Sequence, residues 1–279
     1  MIKDDRSIRT FSVEEIDVLT QQKRIAESLR YAQVIQKAVF PPKKLIEKVF
    51  PNHFILLLPK DILSGDFYWL YTKDNKIYFA VADCTGHGVP GALMSVIGIS
   101  FLNELVARST NLKANRILNQ LREKVMKALG QTGANDVSED GMDIALCVID
   151  PKTNTLQYSG ANNPLYIIRN GDLICFNPDH MPVGIHYAEE KSFTNHEIVL
   201  EEGDCIYLFS DGYVDQLGGP NNKKFKCSNL KNLLLKIWNL PMAEQKNILK
   251  STHADWKGSL KQIDDILVMG VKYSNTNNS

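Results

Sequence analysis

A chain of 279 residues, 44% of them hydrophobic, can bury a substantial core in one large domain or two small ones, at about 100–200 residues per domain. Thirty-two basic residues balance thirty-two acidic ones, which argues against bulk electrostatic capture by nucleic acid or an anionic membrane. Five cysteines (84, 147, 175, 205 and 227) are odd in number, widely spaced and without a C-x-x-C pair. That pattern argues against a disulfide framework or a zinc site and fits a reducing compartment.

The opening residues, MIKDDRSIRTF, lack the apolar centre of a signal peptide. Residues 12–40 read as a helix. Ser12 and Glu15 form a capping-box pattern, and no glycine or proline interrupts the run before Pro41-Pro42. Val18, Gln22, Ile25, Leu29, Ala32, Gln36 and Val39 follow heptad spacing, with glutamine at two seam positions. Two readings stay open: a helix packed on its own domain, or a dimerising or signalling helix.

Strand-like runs follow at 53–60, 66–73 and 76–83, then helices opening near Pro90 and over 114–129. The apolar stretch ALMSVIGISFL (92–102) falls short of the ~20 residues a membrane span needs, so a soluble, cytoplasmic protein without membrane insertion is expected. Residues 131–141 read as a polar loop. A β series comes next: DIALCVID, LQYSGA, PLYIIR, DLICFN, FTNHEIVL and DCIYLFSD, with Asn170-Gly171 as a hairpin turn. Helices at 228–238 and 242–255 and a final strand at 264–273 complete the chain. Consecutive hairpins with paired helices predict an α+β fold built on antiparallel sheet.

Gly86, Gly88 and Gly91 spell G-x-G-x-x-G between a strand and a helix. A dinucleotide loop also needs a parallel βαβ unit with an acidic residue about 20 positions on, closing the second strand. Here Glu104 falls within the helix and another helix follows, so the nucleotide reading is rejected. The glycines instead suit a tight bend beside Asp83, with main-chain oxygens exposed.

Asp83 ends an apolar strand, and others sit alike. Asp66 opens the strand DFYWLY, Asp211 ends IYLFS before a glycine, and Asp264 and Asp265 open the last strand. Each alone reads as a turn or cap residue. Gathered in one antiparallel domain, such carboxylates repel and call for cations. Without a His or Cys pattern they favour hard ions, Mg²⁺ or Mn²⁺. A pair of such ions activates water for phosphate-ester hydrolysis, with no side-chain nucleophile.

Ordered motifs carry the chain further: SLRYAQVIQKAVFPP, PKDILSGDFYW, VADCTGHGVPGALMS, GMDIALCVID, YSGANNPLYIIR, MPVGI, LFSDGYVDQ and IDDILVM. In this order they resemble the SpoIIE/RsbU-type branch of the PPM metal-dependent serine/threonine phosphatases, over roughly residues 26–273. The resemblance implies an αββα sandwich at 43–273, behind a helical segment at 1–42 that serves as linker, switch or dimerisation element, with a disordered tail at 274–279. It further implies that Asp83 bridges two Mn²⁺ or Mg²⁺ ions and that the Cys84 carbonyl completes one site. Asp211 and Asp264 bind the other ion, and Asp66 holds bound water or ligates; between Asp264 and Asp265 the direct ligand stays open. The implied substrate is phosphoserine or phosphothreonine on a STAS-like anti-sigma-factor antagonist, with a homodimer possible through the N-terminal helix. A silent pseudophosphatase and a small-molecule phosphohydrolase are the alternatives. No arginine matches the substrate-phosphate residue of eukaryotic relatives. Ala161-Asn162-Asn163-Pro164 replaces a glycine-histidine pair and receives no catalytic role. His87 is either a proton donor or a loop residue without catalytic duty.

Overall fold

The chain begins its described part with a long helix, α1 (Val13–Val39), stopped by Pro41-Pro42, after which a short helix, α2 (Lys43–Val49), starts at once. The computed structural model describes residues 13–110, 112–131, 139–186 and 191–274. The expected cap Ser12 and most of the tail lie outside these residues, as does most of the 131–141 loop. Three strands follow, β1 (His53–Leu58), β2 (Phe67–Lys73) and β3 (Lys76–Cys84), then two helices, α3 (Gly88–Arg108) and α4 (Ala114–Ala128). The β series comprises β4 (Met142–Asp150), β5 (Thr155–Ala161), β6 (Leu165–Arg169), β7 (Asp172–Phe176), β8 (His196–Val199) and β9 (Cys205–Phe209). A one-turn helix, α5 (Gly212–Asp215), leads to the small hairpin β10 (Leu217–Gly218) and β11 (Lys223–Lys224). Helices α6 (Cys227–Ile237) and α7 (Met242–Lys257) precede the last strand, β12 (Ile266–Lys272).

Two five-stranded sheets result, ordered β1-β12-β9-β6-β7 and β2-β3-β4-β5-β8, and every pairing in them is antiparallel. The sheets pack face to face. Phe79, Ile149, Tyr158, Ile167 and Leu267 fill the space between them. Helices α3 and α4 cover the outer face of the second sheet through Leu102, Ile117 and Leu121. Helices α6 and α7 cover the first through Leu230, Leu234 and Leu249. This is the expected α+β architecture, an αββα sandwich. Because β3 lies between β2 and β4 and is antiparallel to both, the glycine loop belongs to no parallel βαβ unit.

Helix α3 is longer than the apolar stretch read from the sequence. It has 21 residues and is apolar enough by composition to cross a membrane, yet half of its apolar window is buried in the domain. Gly91, Met94, Ser95, Gly98, Leu102, Leu105 and Val106 recur at helical spacing and face the sheet. Only the C-terminal part of the α1 seam packs on the domain. Leu29, Ala32 and Val39 are half-buried and Gln36 is 5% exposed, whereas Val18, Gln22 and Ile25 face solvent.

Phe79 is wholly buried between the sheets and stacks edge-on against Phe50. Phe79→Ala is expected to destabilise the fold by about 3–5 kcal/mol through lost burial and a residual cavity, read as a lower urea midpoint at unchanged m-value.

Candidate metal centre

The strand-end aspartates meet because of where the two sheets end. Asp83 closes β3 directly opposite Asp143 on β4, while Asp211 follows β9 and Asp264 precedes β12, which are neighbours in the other sheet. Asp83, Cys84, Thr85, Gly86, Asp143, Asp211 and Asp264 line one pocket of about 200 Å³. Of the residues singled out from the sequence, Asp83, Cys84, Asp211 and Asp264 therefore share a cavity. Asp66 does not line it. It lies fully buried alongside, its carboxyl interacting with that of Asp83.

A small set of hydrogen bonds holds this arrangement. Ser210 Oγ donates to Asp66 Oδ2 at 2.5 Å and accepts from the Leu267 amide at 2.9 Å, tying β9 and β12 to a residue of the other sheet's entry loop. Asp265 accepts from the amides of Lys60 and Gly65, each at 2.7 Å, so both its oxygens are engaged in pinning the loop before β2. Asp264 instead faces the pocket. Asp211 is followed by Gly212, whose Cβ position would lie 1.9 Å from the Asp265 carbonyl oxygen, so only glycine permits these two chain segments to approach.

The loop after Asp83 is built on equally close backbone packing. A Cβ on Gly91 would stand 2.3 Å from the Gly86 oxygen and 2.9 Å from the Gly65 Cα. Thr85 donates to Gly141 through its amide, at 3.0 Å, which places the next pair inward, Cys84 with Met142, in the phase without ladder bonds. The Cys84 carbonyl consequently points away from β4 toward Gly65, past the end of β2. Its thiol is buried and held well above the usual thiol range, first by desolvation and then by Asp83, so it is no nucleophile.

The electrostatics are one-sided. Burial is the largest cause raising Asp83 well above the ordinary carboxylate range, followed by the charges of Asp66, Asp211 and Asp264. Burial likewise dominates the upward shifts of Asp66, Asp143 and Asp211. Asp66 Oδ1 is a buried acceptor without a hydrogen-bond partner. Among the described residues no three His, Cys, Asp or Glu side chains stand, as placed, close enough together to hold a metal ion. The donors converge on an open pocket instead. Pocket-lining carboxylates beside Cys84 and an unpartnered buried oxygen, with no salt bridge to any of these aspartates among the described residues, suit hard divalent ions.

No pattern in the sequence singled out Asp143 or the two asparagines that hold it. Asp143 lines the pocket, and its Oδ1 accepts from Asn162 Nδ2 at 2.8 Å, while Asn163 Nδ2 donates to its carbonyl at 3.1 Å. The Ala161-Asn162-Asn163-Pro164 stretch thus orients a pocket carboxylate. An aspartate at the start of MDIALCVID was the available signal. His87 lies outside the pocket lining, its Nδ1 paired with Asp61 Oδ2 at 2.7 Å on the surface.

The profile of the family described as Stage II sporulation protein E (SpoIIE) matches residues 73–274. Phosphoserine phosphatase RsbU of Bacillus subtilis (strain 168) is 23% identical over 198 residues, or 70% of this chain and 55% of that protein. The chain thus spans about half the length of this curated relative. The SiaA-PP2C domain of Pseudomonas aeruginosa superposes with a TM-score of 0.81 at 28% identity, covering 91% of this chain and 99% of that one. The structure of the PP2C phosphatase domain with a fragment of the regulatory domain of SpoIIE from Bacillus subtilis shares the fold, with a TM-score of 0.62 at 17% identity, covering 80% of this chain and 63% of that one. Fold, profile and strand-end aspartates agree: the chain belongs to the SpoIIE family, within the SpoIIE/RsbU-type branch of the PPM phosphatases.

Proposed function

We propose that the chain is a metal-dependent protein serine/threonine phosphatase that hydrolyses phosphoserine or phosphothreonine on a partner protein. The observation that carries this reading is the convergence of Asp83, Asp143, Asp211 and Asp264 on one pocket that Cys84 also lines. Asp83, Asp211, Asp264 and the Cys84 carbonyl would hold two Mn²⁺ or Mg²⁺ ions, with Asp66 supporting Asp83 from beneath. When bound, such ions supply Lewis acidity that lowers the pKa of water and offsets phosphoryl charge. The chain's own residues fix the geometry. Ser210 and Asp265 lock Asp66 and its loop, and Asn162 aims Asp143. Attack by water forms the new P–O bond, and the ester bond to the serine or threonine oxygen breaks, with a proton passing to that oxygen.

The pocket favours a protein-borne phosphate over a metabolite. At about 200 Å³ it is smaller than the roughly 300–1,000 Å³ of small-molecule sites, and among the described residues no aromatic or large apolar side chain lines it. The organic part of a small ester has nothing to rest on, whereas a protein brings its own recognition surface. By its likeness to RsbU and its family motifs we assign the substrate to a STAS-like anti-sigma-factor antagonist, in a partner-switching circuit of the cytoplasm. The solvent-facing half of the α1 seam is the surface we assign to a homodimer.

Helix α1 is joined to the loop before Asp66 by two glutamines, the first being Gln33, whose Nε2 donates to the Ile62 carbonyl at 2.5 Å. Gln36, buried, donates from Nε2 to the Ser64 carbonyl at 2.5 Å and to Ser95 Oγ at 3.0 Å, while its Oε1 accepts from the Ser64 amide at 3.3 Å. Ser64 immediately precedes Gly65 and Asp66. The position of α1 is thereby transmitted to the loop that Asp265 holds.

Asp83→Asn or Asp211→Asn is expected to reduce Mn²⁺-dependent hydrolysis of an aryl phosphate by orders of magnitude while circular dichroism stays native. Undiminished turnover would refute the assignment. Independently of activity, Mn²⁺ should raise the melting temperature of the wild type and a chelator should reverse the gain, because ligand binding to the native state adds stability. Asp83→Asn should abolish that shift. Gln36→Ala should lower turnover and shrink the Mn²⁺-induced thermal shift together, and removal of residues 1–24 should change oligomeric state or turnover. Sedimentation and initial rates identical to those of the full chain would dismiss the role of α1.

A further inference from the structure

Strand β1 is an edge of its sheet. Among the described residues it pairs with β12 alone, and the Lys272 amide donates to the Asn52 carbonyl at 2.9 Å. That bond sets the phase of the ladder: Phe54, Leu56 and Leu58 direct their backbone groups to β12. His53, Ile55 and Leu57 direct theirs to the free side. A groove of about 670 Å³ runs along this free side, between Lys43 and Ile46 of α2 and Lys246 and Lys250 of α7. It meets a second cavity of about 330 Å³ beneath the end of α1, with which it shares Lys43, Leu57 and Tyr68.

The charge along this surface is unlike that of the chain as a whole. Lys37, Lys43, Lys246 and Lys250 stand against the single carboxylate Glu47, in a protein whose formal net charge is zero. Glu47 is paired with Lys43 at 3.4 Å. Among the described residues no salt bridge engages Lys246 or Lys250. An open row of alternating amides and carbonyls accepts extended backbone, and lysines on its rim select acidic side chains. A second copy of the chain would bring lysines against lysines.

We propose that the β1 groove is a docking site for an extended acidic segment of a partner protein, which adds as a sixth strand to the β1-β12-β9-β6-β7 sheet. Main-chain bonds to Ile55 and Leu57 supply the register, Lys246 and Lys250 supply the preference for carboxylates, and the apolar floor receives alternate side chains. The groove adjoins the loop that leads through Lys60 and Gly65 to Asp66, so a bound segment lies beside the catalytic domain's phosphate pocket without entering it.

A short fluorescein-labelled peptide of alternating glutamate and valine, titrated with the full chain and followed by anisotropy, tests this. Binding is expected for that peptide, and not for its lysine-for-glutamate counterpart or for a version N-methylated at alternate residues. The bound state should slow hydrogen exchange at the Ile55 and Leu57 amides. Lys246→Glu with Lys250→Glu should weaken binding about tenfold or more. Ile55→Pro, which removes an outward N–H without touching the β12 ladder, should do the same, whereas Ile55→Thr should retain binding. Aryl phosphate hydrolysis should be unchanged in all of them, which also reports that they fold. Absence of binding by the acidic peptide, equal binding of the lysine or N-methylated peptide, or affinity insensitive to both the lysine and the proline substitutions would overturn the proposal. So would sedimentation showing that these substitutions dissociate a dimer of the chain.

Discussion

Mutual repulsion among carboxylates in a low-dielectric setting is the constraint around which this fold is arranged. Asp66, Asp83, Asp143 and Asp211 are all shifted toward protonation by burial, and the charges of neighbouring aspartates push several of them further the same way. Such a cluster does not assemble by attraction. It persists because the hydrophobic sandwich behind it outweighs the electrostatic cost. The acidic groups sit at strand ends, where the sheets stop and solvent begins, so function is placed where the core loses least.

Rigid support at that boundary comes from residues that never face the pocket. Ser210 serves three partners at once, the Asp66 carboxylate and both backbone groups of Leu267. Asp265 spends both oxygens on amides roughly two hundred positions away in sequence. The adjacent pair Asp264-Asp265 therefore divides its labour: one side chain holds the loop and the other is left for the cavity. Gly65 and Gly91 add a different kind of constraint, since a side chain on either would strike the Gly86 carbonyl oxygen, and Gly86 itself turns with a φ of +79°.

Strand alternation and hairpin turns made most of the sandwich legible, and the helices at 88–108, 114–128, 227–237 and 242–257 lie close to where the apolar spacing put them. Elements shorter than two turns escaped. Helix α2 follows Pro41-Pro42 too closely to show a repeat, and the β10–β11 hairpin has two residues a side. At the site, Asp83 and Asp211 stood out because each closes an apolar run before small residues. Asp143 did not, because its importance comes from lying across from Asp83 in the ladder, a relation between strands about 60 residues apart in sequence that no local pattern displays. Asn162 was hidden for the same reason, as its value is the bond it makes to Asp143. Whether Asp264 or Asp265 faces the cavity was likewise a matter of which one the loop amides had claimed.

Helix α1 is seated at one end only. Its last turns reach Gln36 and Phe40 in the core, while its first turns stand in solvent. At 1.5 Å per residue, its 27 residues make a rod about 40 Å long. A rod anchored in this way would act as a reducing lever, its far tip travelling further than the Ser64 end. Coarse movements outside the domain would arrive at the pocket scaled down to the fine tolerance on which coordination depends.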